Sequence, residues 1–234
     1  MAIKPILFNT EMVRSILDGR KSCTRRLVKF LSGENPRWTG YIKDGLMLYN
    51  GKNEPCIRKA PYQPGDILYV RETWERFECW NCEGDERGNC PKEPQKSVLD
   101  KTCGCYMYRA TNEISGDAKW HPSIHMPKEA ARIWLKVTDM RVERLQEITE
   151  VQTEEEGFLF TPPCLHLTGE NYCDIDGPCT SKVKYCDMGA GELFGKVLWN
   201  STIKKTDLDR YGWNANPWVW VIEFEQCEKP KEEN

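Results

Sequence analysis

The sequence predicts an α+β fold, in which short strands form a small mixed β-barrel with flanking helices. Apolar and polar residues alternate in short runs, and Pro- and Gly-containing turns separate these runs. Only a few segments have the apolar periodicity of a helix. Short, separated strands with few helices favour a small barrel over a layered α/β sheet, where strands and helices alternate regularly.

The N-terminal segment predicts a strand, a helix and a second extended segment. Residues 6–8 suit a short strand, and Asn9 or Thr10 suits the N-cap of a helix. Gly19 falls where a left-handed C-terminal cap belongs. The apolar residues between them recur at helical spacing: Met12, Val13, Ile16 and Leu17. After Gly19 we expect an extended chain, in which Thr24 and Arg26 share a face because alternate residues point the same way.

Three further runs alternate as strands do, at residues 67–72, 133–138 and 218–224. Pro64-Gly65-Asp66 signals a turn before the first of them.

Two more helices are expected in the second half of the chain. Thr149 and Gln152 have the spacing of a capping box, and Gly157 ends that helix. Another helix is predicted over residues 192–200, with four apolar residues on one side: Leu193, Phe194, Val197 and Leu198.

Composition excludes several classes of protein. With 234 residues, 39% of them hydrophobic and nine of them tryptophan, the chain is typical of a globular protein and not of a disordered one. We expect a single domain over residues 1–234. No apolar run approaches the roughly 20 residues of a membrane span. The N-terminus has no signal-peptide pattern, so we expect no membrane partner and a cytoplasmic protein of a bacterial or phage-infected cell.

A net charge of −3 argues against a general nucleic-acid coat, but basic residues concentrate near the N-terminus. One nearby acid, Asp18, accompanies six of them: Arg14, Arg20, Lys21, Arg25, Arg26 and Lys29. Such a local basic patch suits a small anionic ligand or a short nucleic-acid segment.

Twelve cysteines call for an explanation, and nine of them lie in two polar segments, residues 76–106 and 159–188. Both segments resemble insertions with too few apolar residues to fold unaided. Because we expect a reducing compartment, structural zinc is favoured over disulfides. An iron–sulfur cluster stays open as an alternative. The remaining cysteines suit small buried hydrophobic positions: Cys23, Cys56 and Cys227.

Two tetrahedral zinc sites are predicted from these cysteines. The first uses Cys79, Cys82, Cys103 and Cys105, with Cys90 as a spare or alternative ligand. The second uses Cys164, Cys173, Cys179 and Cys186, with His166 as a possible substitute. Closed four-cysteine sites are structural, so zinc has no catalytic part in this prediction.

The segment after the first helix carries the pattern G-x-K-x-x-T-x-R, formed by Gly19, Lys21, Thr24 and Arg26. On physical grounds alone, these cations can simply complement the helix dipole at the surface. The pattern, however, resembles the signature of the ASCH family, a branch of the PUA-like β-barrels. Four other segments resemble prophage-encoded members of that family: residues 4–8, 65–74, 122–127 and 216–224. The resemblance covers most of the chain outside the two cysteine-bearing segments.

The resemblance implies an activity as well as a fold. Some ASCH proteins are amidohydrolases that remove the acetyl group from N4-acetylcytidine, using a lysine, a threonine and a glutamate on the helix that follows the barrel. The first two match Lys21 and Thr24 here. Aligning the helix start at Ile148-Thr149-Glu150 places the glutamate at Glu156. A small shift of this alignment would select Glu154 or Glu155 instead. On spacing alone, a solvent-exposed acidic helix face is the plainer interpretation of these glutamates.

These residue types suit amide hydrolysis. A hydroxyl beside an amine whose pKa is lowered by burial supplies a nucleophile and a base. A carboxylate orients the amine or carries a proton to the leaving nitrogen. We expect Arg26 to bind a phosphate or polarise the carbonyl.

Two more residues are candidates for substrate binding. Glu72, at the end of a predicted strand, is one candidate for substrate binding. The alternative is a structural ion pair with Arg71 or Lys136. Trp74 would stack on a base, although tryptophan in a small barrel is more often part of the core.

The sequence leaves two main functions open. One is a hydrolase acting on a modified pyrimidine nucleoside or nucleotide. The other is a non-catalytic module that holds RNA or a modified base in the same cleft. A third is a zinc-stabilised interaction protein. The partners expected are a nucleoside, a nucleotide or short single-stranded RNA, and the oligomeric state is left open.

Overall fold

The computed structural model describes residues 1–31, 41–43, 46–50, 52–57, 59–78, 95–96, 103–112, 119–158 and 188–231. These residues form a mixture of strands and short helices, so the α+β class is confirmed. Within the described residues no helix is both long and apolar enough to cross a membrane.

The strands are numbered in chain order. They are β1 (Ile3–Leu7), β2 (Cys23–Leu27), β3 (Tyr41–Lys43), β4 (Met47–Tyr49), β5 (Ile67–Arg71), β6 (Trp74–Glu78), β7 (Gln95–Lys96), β8 (Cys103–Tyr108), β9 (Trp134–Arg144) and β10 (Trp218–Cys227). The largest sheet has five strands in the order β1-β5-β9-β10-β2. Strand β1 runs parallel to β5, whereas β5 and β9, and β10 and β2, pair antiparallel. Two smaller sheets have the orders β3-β4 and β6-β8-β7.

The predicted barrel is not what these residues form. In the described part of the chain the five-stranded sheet does not close, because its two end strands, β1 and β2, each pair on one side only. A barrel requires its first and last strands to pair with each other. The separate strand runs were identified correctly, since alternation is a local property, but alternation does not specify closure.

The chain divides into two compact units, each assembled from separated stretches of sequence. The first unit comprises Met1–Asp18, Gly65–Lys136 and Glu225–Asn234. The second unit comprises Gly19–Pro64 and Val137–Phe224.

The first unit contains helix α1 (Thr10–Leu17), whose N-cap is Asn9. The Asn9 side chain accepts a hydrogen bond from the Met12 amide at 2.9 Å, as its position before the apolar periodicity predicts. Just beyond the helix, Gly19 has a φ of +73°, which confirms the left-handed cap. The core of this unit is a cluster of buried apolar residues: Ile67, Met126, Ala130, Ala131 and Trp134.

The second unit contains helix α2 (Glu150–Glu155) and a helical stretch from Ala190 to Thr202. Thr149 and Gln152 form the predicted reciprocal capping box, and Gly157 leaves the helix with a φ of +77°. The predicted third helix is also present. It is composed of α3 (Ala190–Leu193), a π-helical segment (Phe194–Trp199) and α4 (Asn200–Thr202), and α5 (Leu208–Tyr211) follows.

A glycine explains how this helical stretch packs. A Cβ built on Gly195 would lie 1.9 Å from the ring of Trp213, so only glycine allows the close approach. The core around it gathers eight buried residues: Cys23, Leu145, Ile148, Phe194, Trp199, Trp213, Val219 and Val221.

The two cysteine-bearing segments lie largely outside the described residues. This applies to Cys79, Cys82, Cys90, Cys164, His166, Cys173, Cys179 and Cys186. Two cysteines of the first predicted zinc site, Cys103 and Cys105, lie in strand β8. Among the described residues, no group of three or more His, Cys, Asp or Glu side chains is arranged to hold a metal ion.

Candidate functional site

The main chain brings the G-x-K-x-x-T-x-R segment against the end of helix α2. After Gly19 reverses the chain, Lys21 forms an isolated antiparallel bridge with Glu156. The amide of Ser22 donates to the carbonyl oxygen of Glu155 at 2.9 Å. Glu156 is the C-cap of α2, one turn after Gln152, so these two side chains share a helix face. Both partners belong to the second unit.

The Lys21 amine and the Glu156 carboxylate form a buried ion pair. Nζ of Lys21 lies 2.6 Å from Oε2 of Glu156 and donates a second hydrogen bond to the Glu156 carbonyl oxygen at 2.8 Å. The exposed fractions of the two side chains are 0% and 3%. Of the three glutamates open to the alignment, Glu156 is the one in contact with Lys21. An exposed position for Glu156, the plainer interpretation, is wrong.

A third charged group contacts the same carboxylate. Nη1 of Arg25 donates to Oε1 of Glu156 at 3.4 Å, and Nη2 donates to Oε1 of Gln152 at 2.7 Å. Oε2 of Glu143, on β9, lies 3.7 Å from Nη2. Arg25 is also fully buried, with 0% of its side chain exposed. Glu156 therefore has a different cation at each of its two oxygens.

Burial dominates the electrostatics of Lys21. Removal from water lowers the pKa of the Lys21 amine, because it disfavours the charged form. The charge of Glu156 and its hydrogen bond oppose this shift, and the charge of Arg26 adds to it. The same burial, together with the negative charge of Glu156, raises the pKa of the Cys23 thiol to about 12. Cys23 is therefore a neutral thiol at physiological pH, as expected for a small buried hydrophobic residue.

Thr24 and Arg26 occupy alternate positions of β2, where they pair with Ile222 and Trp220 of β10. Thr24 is buried, whereas Arg26 is partly exposed. Burial lowers the pKa of Arg26, against the charge of Glu156 and the hydroxyl of Tyr62. Among the described residues, the hydrogen bonds to the Glu156 carboxylate come from Lys21 and Arg25 and not from Thr24. The structure thus brings together two of the three predicted catalytic residues by direct contact.

The six basic residues predicted to form a patch near the N-terminus differ in exposure: Arg14 and Lys29 are exposed, Arg20 and Arg26 are partly exposed, and the other two are not. Lys21 and Arg25 are buried, because each has a buried carboxylate partner. Arg14 bonds to Glu11 and to the carbonyl oxygen of Ala110.

The other two predicted substrate-binding residues belong to the first unit. Both carboxylate oxygens of Glu72 accept from Arg132, at 2.9 Å from Nε and 3.1 Å from Nη2. Neither expected partner of Glu72 is correct: Arg71 donates to the Met126 carbonyl oxygen, and Lys136 pairs with Glu225. The reason is that Arg132 approaches from the turn before β9, a contact between residues far apart in sequence.

Trp74 packs into an aromatic group at the start of β6. Its ring centroid lies 5.7 Å from that of Tyr106 and 5.2 Å from that of His121. The indole is partly buried against the core of the first unit. This environment is the core-type position that the sequence offered as the alternative to base stacking.

Three residues of these two clusters are not predicted as site residues from the sequence, each for a different reason. The sequence places Arg25 in a basic patch, but its position two residues from Cys23 in a strand puts it on the same face as that buried residue. Gln152 was identified only as a capping residue, yet its side chain also accepts from Arg25. Arg132 had no local signal.

A separate pocket of about 280 Å³ lies in the second unit. It is lined by Asn200, Leu208, Asp209, Gly212, Trp213, Asn214 and Ala215. None of the predicted site residues lines it.

A proton-transfer site is the chemistry that the Lys21 cluster suits best. It combines a desolvated amine, a carboxylate 2.6 Å away and a permanently charged guanidinium on the far oxygen of that carboxylate. Comparisons of the chain with protein-family models, with curated proteins and with solved structures found no match. The inference to function therefore depends on the site itself.

Proposed function

We propose that this protein is an amidohydrolase that removes the acyl group from an N4-acylated cytidine, as a nucleoside or nucleotide. The observation that carries the proposal is the buried contact between the Lys21 amine and the Glu156 carboxylate. The resemblance of the Gly19–Arg26 pattern to ASCH hydrolases names the substrate class.

The physical support lies in what burial does to an amine. A lysine in water is almost fully protonated at neutral pH and is a poor base. Burial lowers the pKa of Lys21 and so increases the fraction of neutral amine. An amine with this property, held by a carboxylate, is suited to general-base catalysis. The same pair placed on the surface would lack this advantage.

In the proposed reaction the Thr24 hydroxyl attacks the acyl carbon and transfers its proton to Lys21. The bond between the acyl carbon and N4 then breaks, and N4 receives from Lys21 the proton that the Thr24 hydroxyl gave up. Water hydrolyses the resulting Thr24 ester and regenerates the hydroxyl. The sum is one amide and one water converted into a carboxylic acid and cytidine.

The proposal gives Arg26 the task of binding a phosphate or polarising the carbonyl, since it follows Thr24 by two positions in β2. It assigns Glu72 no step, because both of its oxygens are occupied by Arg132. A stacking role for Trp74 stays a prediction. Because Lys21 and Glu156 are enclosed, the proposal also requires the substrate to displace part of their surroundings as it binds.

Release of cytidine from N4-acetylcytidine, followed by chromatography, tests the proposal. We expect wild type to turn over the substrate, and Lys21→Met, Thr24→Ala and Glu156→Gln each to lower kcat about 10²–10⁴-fold. Double variants should be hardly worse than singles, since the three act as one unit. Arg144→Gln is the matched control, because Arg144 contacts Trp218 and Asn216 instead of the cluster.

The proposal fails if wild type hydrolyses no N4-acylated cytidine across several acyl groups. Binding of the nucleoside without turnover would favour the second function, a recognition module for RNA or a modified base. Variants are to be compared at matched thermal stability, because a buried charge cluster also contributes to folding.

We propose in addition that the two cysteine-bearing segments hold structural zinc. Their predicted ligands are Cys79, Cys82, Cys103 and Cys105 in the first and Cys164, Cys173, Cys179 and Cys186 in the second. Metal analysis of protein purified without chelator should give a ratio of about two zinc ions per chain, and chelation should lower the melting temperature. A ratio near zero with all thiols titratable would contradict this.

A further inference from the structure

Arg25 is an unusual residue for the middle of a β-strand. It lies at the centre of the five-residue strand β2, yet none of its side chain is exposed. Burying a guanidinium is costly unless its N–H groups find acceptors. Two acceptors come from α2, Gln152 and the C-cap Glu156, and Glu143 of β9 adds an ion-pair contact at 3.7 Å. Nε of Arg25 has no hydrogen-bond partner among the described residues. The second unit therefore retains a buried cation that is held most closely by Gln152 and also contacts the carboxylate of Glu156.

The two terminal nitrogens of the Arg25 side chain have different partners. Nη2 is anchored to Gln152 at 2.7 Å, and Nη1 reaches Oε1 of Glu156 at 3.4 Å. The opposite oxygen, Oε2, receives the Lys21 amine at 2.6 Å. Gln152 is itself held by the capping box, because its side chain also accepts from the Thr149 amide. The guanidinium is thus oriented independently of Lys21.

A buried lysine and glutamate on their own share a proton, which can reside on either partner. A neutral amine next to a protonated acid cannot act as a base, since the carboxylate has already taken the proton. A guanidinium never loses its charge under physiological conditions. Placed on Oε1, it favours the ionised carboxylate whether Lys21 is charged or neutral.

We infer that Arg25 is a positioning residue that keeps Glu156 an oriented carboxylate while Lys21 gives up and regains its proton. The statement about the pair stands on the contacts. Its consequence for turnover rests on the proposed function.

Two further groups act directly on the charge of Lys21, the Cys23 thiol and the Arg26 guanidinium, both on β2. Three more groups act on the neighbours of the pair: Tyr62, in the loop before β5, on Arg26; Glu223, on β10, on Cys23; and Glu143, on β9, on Arg25. All of these groups are to be kept in place in any test. Arg141 bonds to both Glu143 and Glu223, which offsets part of their negative charge. Of the charged groups, Glu156 raises the pKa of Lys21 and Arg26 lowers it, whereas Arg25 contacts the far oxygen of Glu156.

Removing the positive charge of Arg25 should strengthen proton binding by the Lys21 amine. In Arg25→Gln, deprotonation of Lys21 should therefore move to higher pH by about one unit or more, which is at least a tenfold gain in proton affinity. Arg25→Lys restores the charge but not the two-armed contact, so its shift should be smaller. Gln152→Met keeps every charge and removes the anchor, and its shift should also be small and upward.

NMR of protein carrying ¹³C at the lysine ε position measures this directly, and Lys21→Met assigns the signal. We expect the midpoint of the Lys21 titration to be lowest in wild type, higher in Gln152→Met and Arg25→Lys, and highest in Arg25→Gln. The midpoint in Arg144→Gln should equal that of wild type. An Arg25→Gln midpoint equal to that of wild type would overturn the inference. If Arg25→Gln does not fold, an unchanged midpoint in both other variants would overturn it equally.

The pH profile of cytidine release separates this inference from the proposed function. If both hold, the rising limb of kcat/KM moves with the NMR midpoint in each variant. A midpoint that moves in a protein with no turnover would leave Arg25 as a positioning residue and remove the hydrolase. Suppose instead that wild type releases cytidine, and that neither the rising limb of kcat/KM nor the NMR midpoint moves in the Arg25 variants. The proposed function would then stand, and the inference about Arg25 would be overturned.

Discussion

Glu72 in the first unit and Glu156 in the second are both buried carboxylates, yet their surroundings differ in kind. Both oxygens of Glu72 are taken by one arginine, Arg132, in a fork geometry. The oxygens of Glu156 are divided between the Lys21 amine and Arg25. One carboxylate has a single permanent cation, and the other has one permanent and one titratable cation.

The partners also differ in their access to water. Arg132 keeps 28% of its side chain exposed, and its guanidinium lies 4.0 Å from the ring centroid of Tyr108. Lys21 and Arg25 have none exposed. Burial raises the pKa of Glu72, and Arg132 opposes that shift. In the other cluster, burial lowers the pKa of the Lys21 amine.

This difference in partners distinguishes a purely structural ion pair, here called a brace, from a site that can transfer a proton. A carboxylate paired with a guanidinium has no proton to exchange with its partner, because arginine does not titrate. The Lys21 amine, 2.6 Å from its carboxylate, is a titratable partner that can give up and regain a proton. Burial of a charged residue alone therefore does not identify a functional group, whereas the kind of partner does.

The largest expected effect is the difference in stability between two matched substitutions. Glu156→Gln leaves the fully buried Lys21 without its carboxylate and leaves Arg25 with only Glu143, 3.7 Å away, so it should lower the free energy of unfolding by about 3–5 kcal/mol. Glu72→Gln leaves Arg132, which can be hydrated, and should cost about 1–2 kcal/mol. Urea denaturation near neutral pH measures both. Equal losses would mean that the two carboxylates are braces of the same kind.

The reciprocal substitution in the first unit should depend on pH. In Arg132→Gln the pKa of Glu72 rises further above its value of 4.5 in the unfolded chain, since the opposing cation is gone. The folded state then binds more protons than the unfolded state between these two pKa values. Stability is therefore retained at acidic pH and lost as pH rises through that window.

Urea denaturation across this range should give a loss relative to wild type that grows to about 2–3 kcal/mol at neutral pH. A loss that stays constant with pH would show that Glu72 keeps its charge without Arg132.

Lys21 should give a pH dependence at the alkaline end. Its pKa is lowered from 10.5 in the folded state, so the unfolded chain binds more protons between the lowered value and 10.5. Wild type should therefore gain stability with rising pH in that window, relative to Lys21→Met, and stay level above it. The sign of this gain follows from the lowered pKa of Lys21, and urea denaturation from neutral to alkaline pH measures it. A constant difference between the two proteins would mean that Lys21 has an ordinary pKa.

The smallest effect concerns Cys23, which lies beside the Glu156 cluster. Its pKa of about 12 and its burial predict that the thiol does not react with iodoacetamide in the native protein at mildly alkaline pH. Cys56, which is partly exposed, is the internal comparison. Peptide mapping after alkylation should find Cys56 modified and Cys23 modified only after unfolding. Equal labelling of both would contradict the buried position of Cys23.

Local signals in the sequence predicted the helix ends well. Asn9 and Thr149 cap helices as expected, and both Gly19 and Gly157 adopt the left-handed conformation at the far ends. Capping depends on hydrogen bonds within four residues, so the sequence contains the whole interaction. The alternating strands were found for the same reason, while the closure of the sheet was not, because pairing joins strands distant in the chain.

The candidate site was predictable in part. Lys21 and Glu156 were selected from a pattern and an alignment of a helix start, and the structure places them in contact. Their burial was not foreseen, since the plainer interpretations put the basic residues and the acidic helix face at the surface. The predicted zinc ligands other than Cys103 and Cys105 lie outside the described residues and stay predictions.

The sequence by itself determined the class of the fold, the limits of the main helices and the residue types available for chemistry. Only the tertiary structure decided which charges meet. Arg25 and Glu156 are separated by 131 positions, and Arg132 and Glu72 by 60. Charged side chains carry no mark of burial in the sequence, because their ionisation depends on the dielectric environment and the partners that folding supplies. That is why the same residue type is a structural ion-pair partner at Glu72 and the partner of the proposed general base, Lys21, at Glu156.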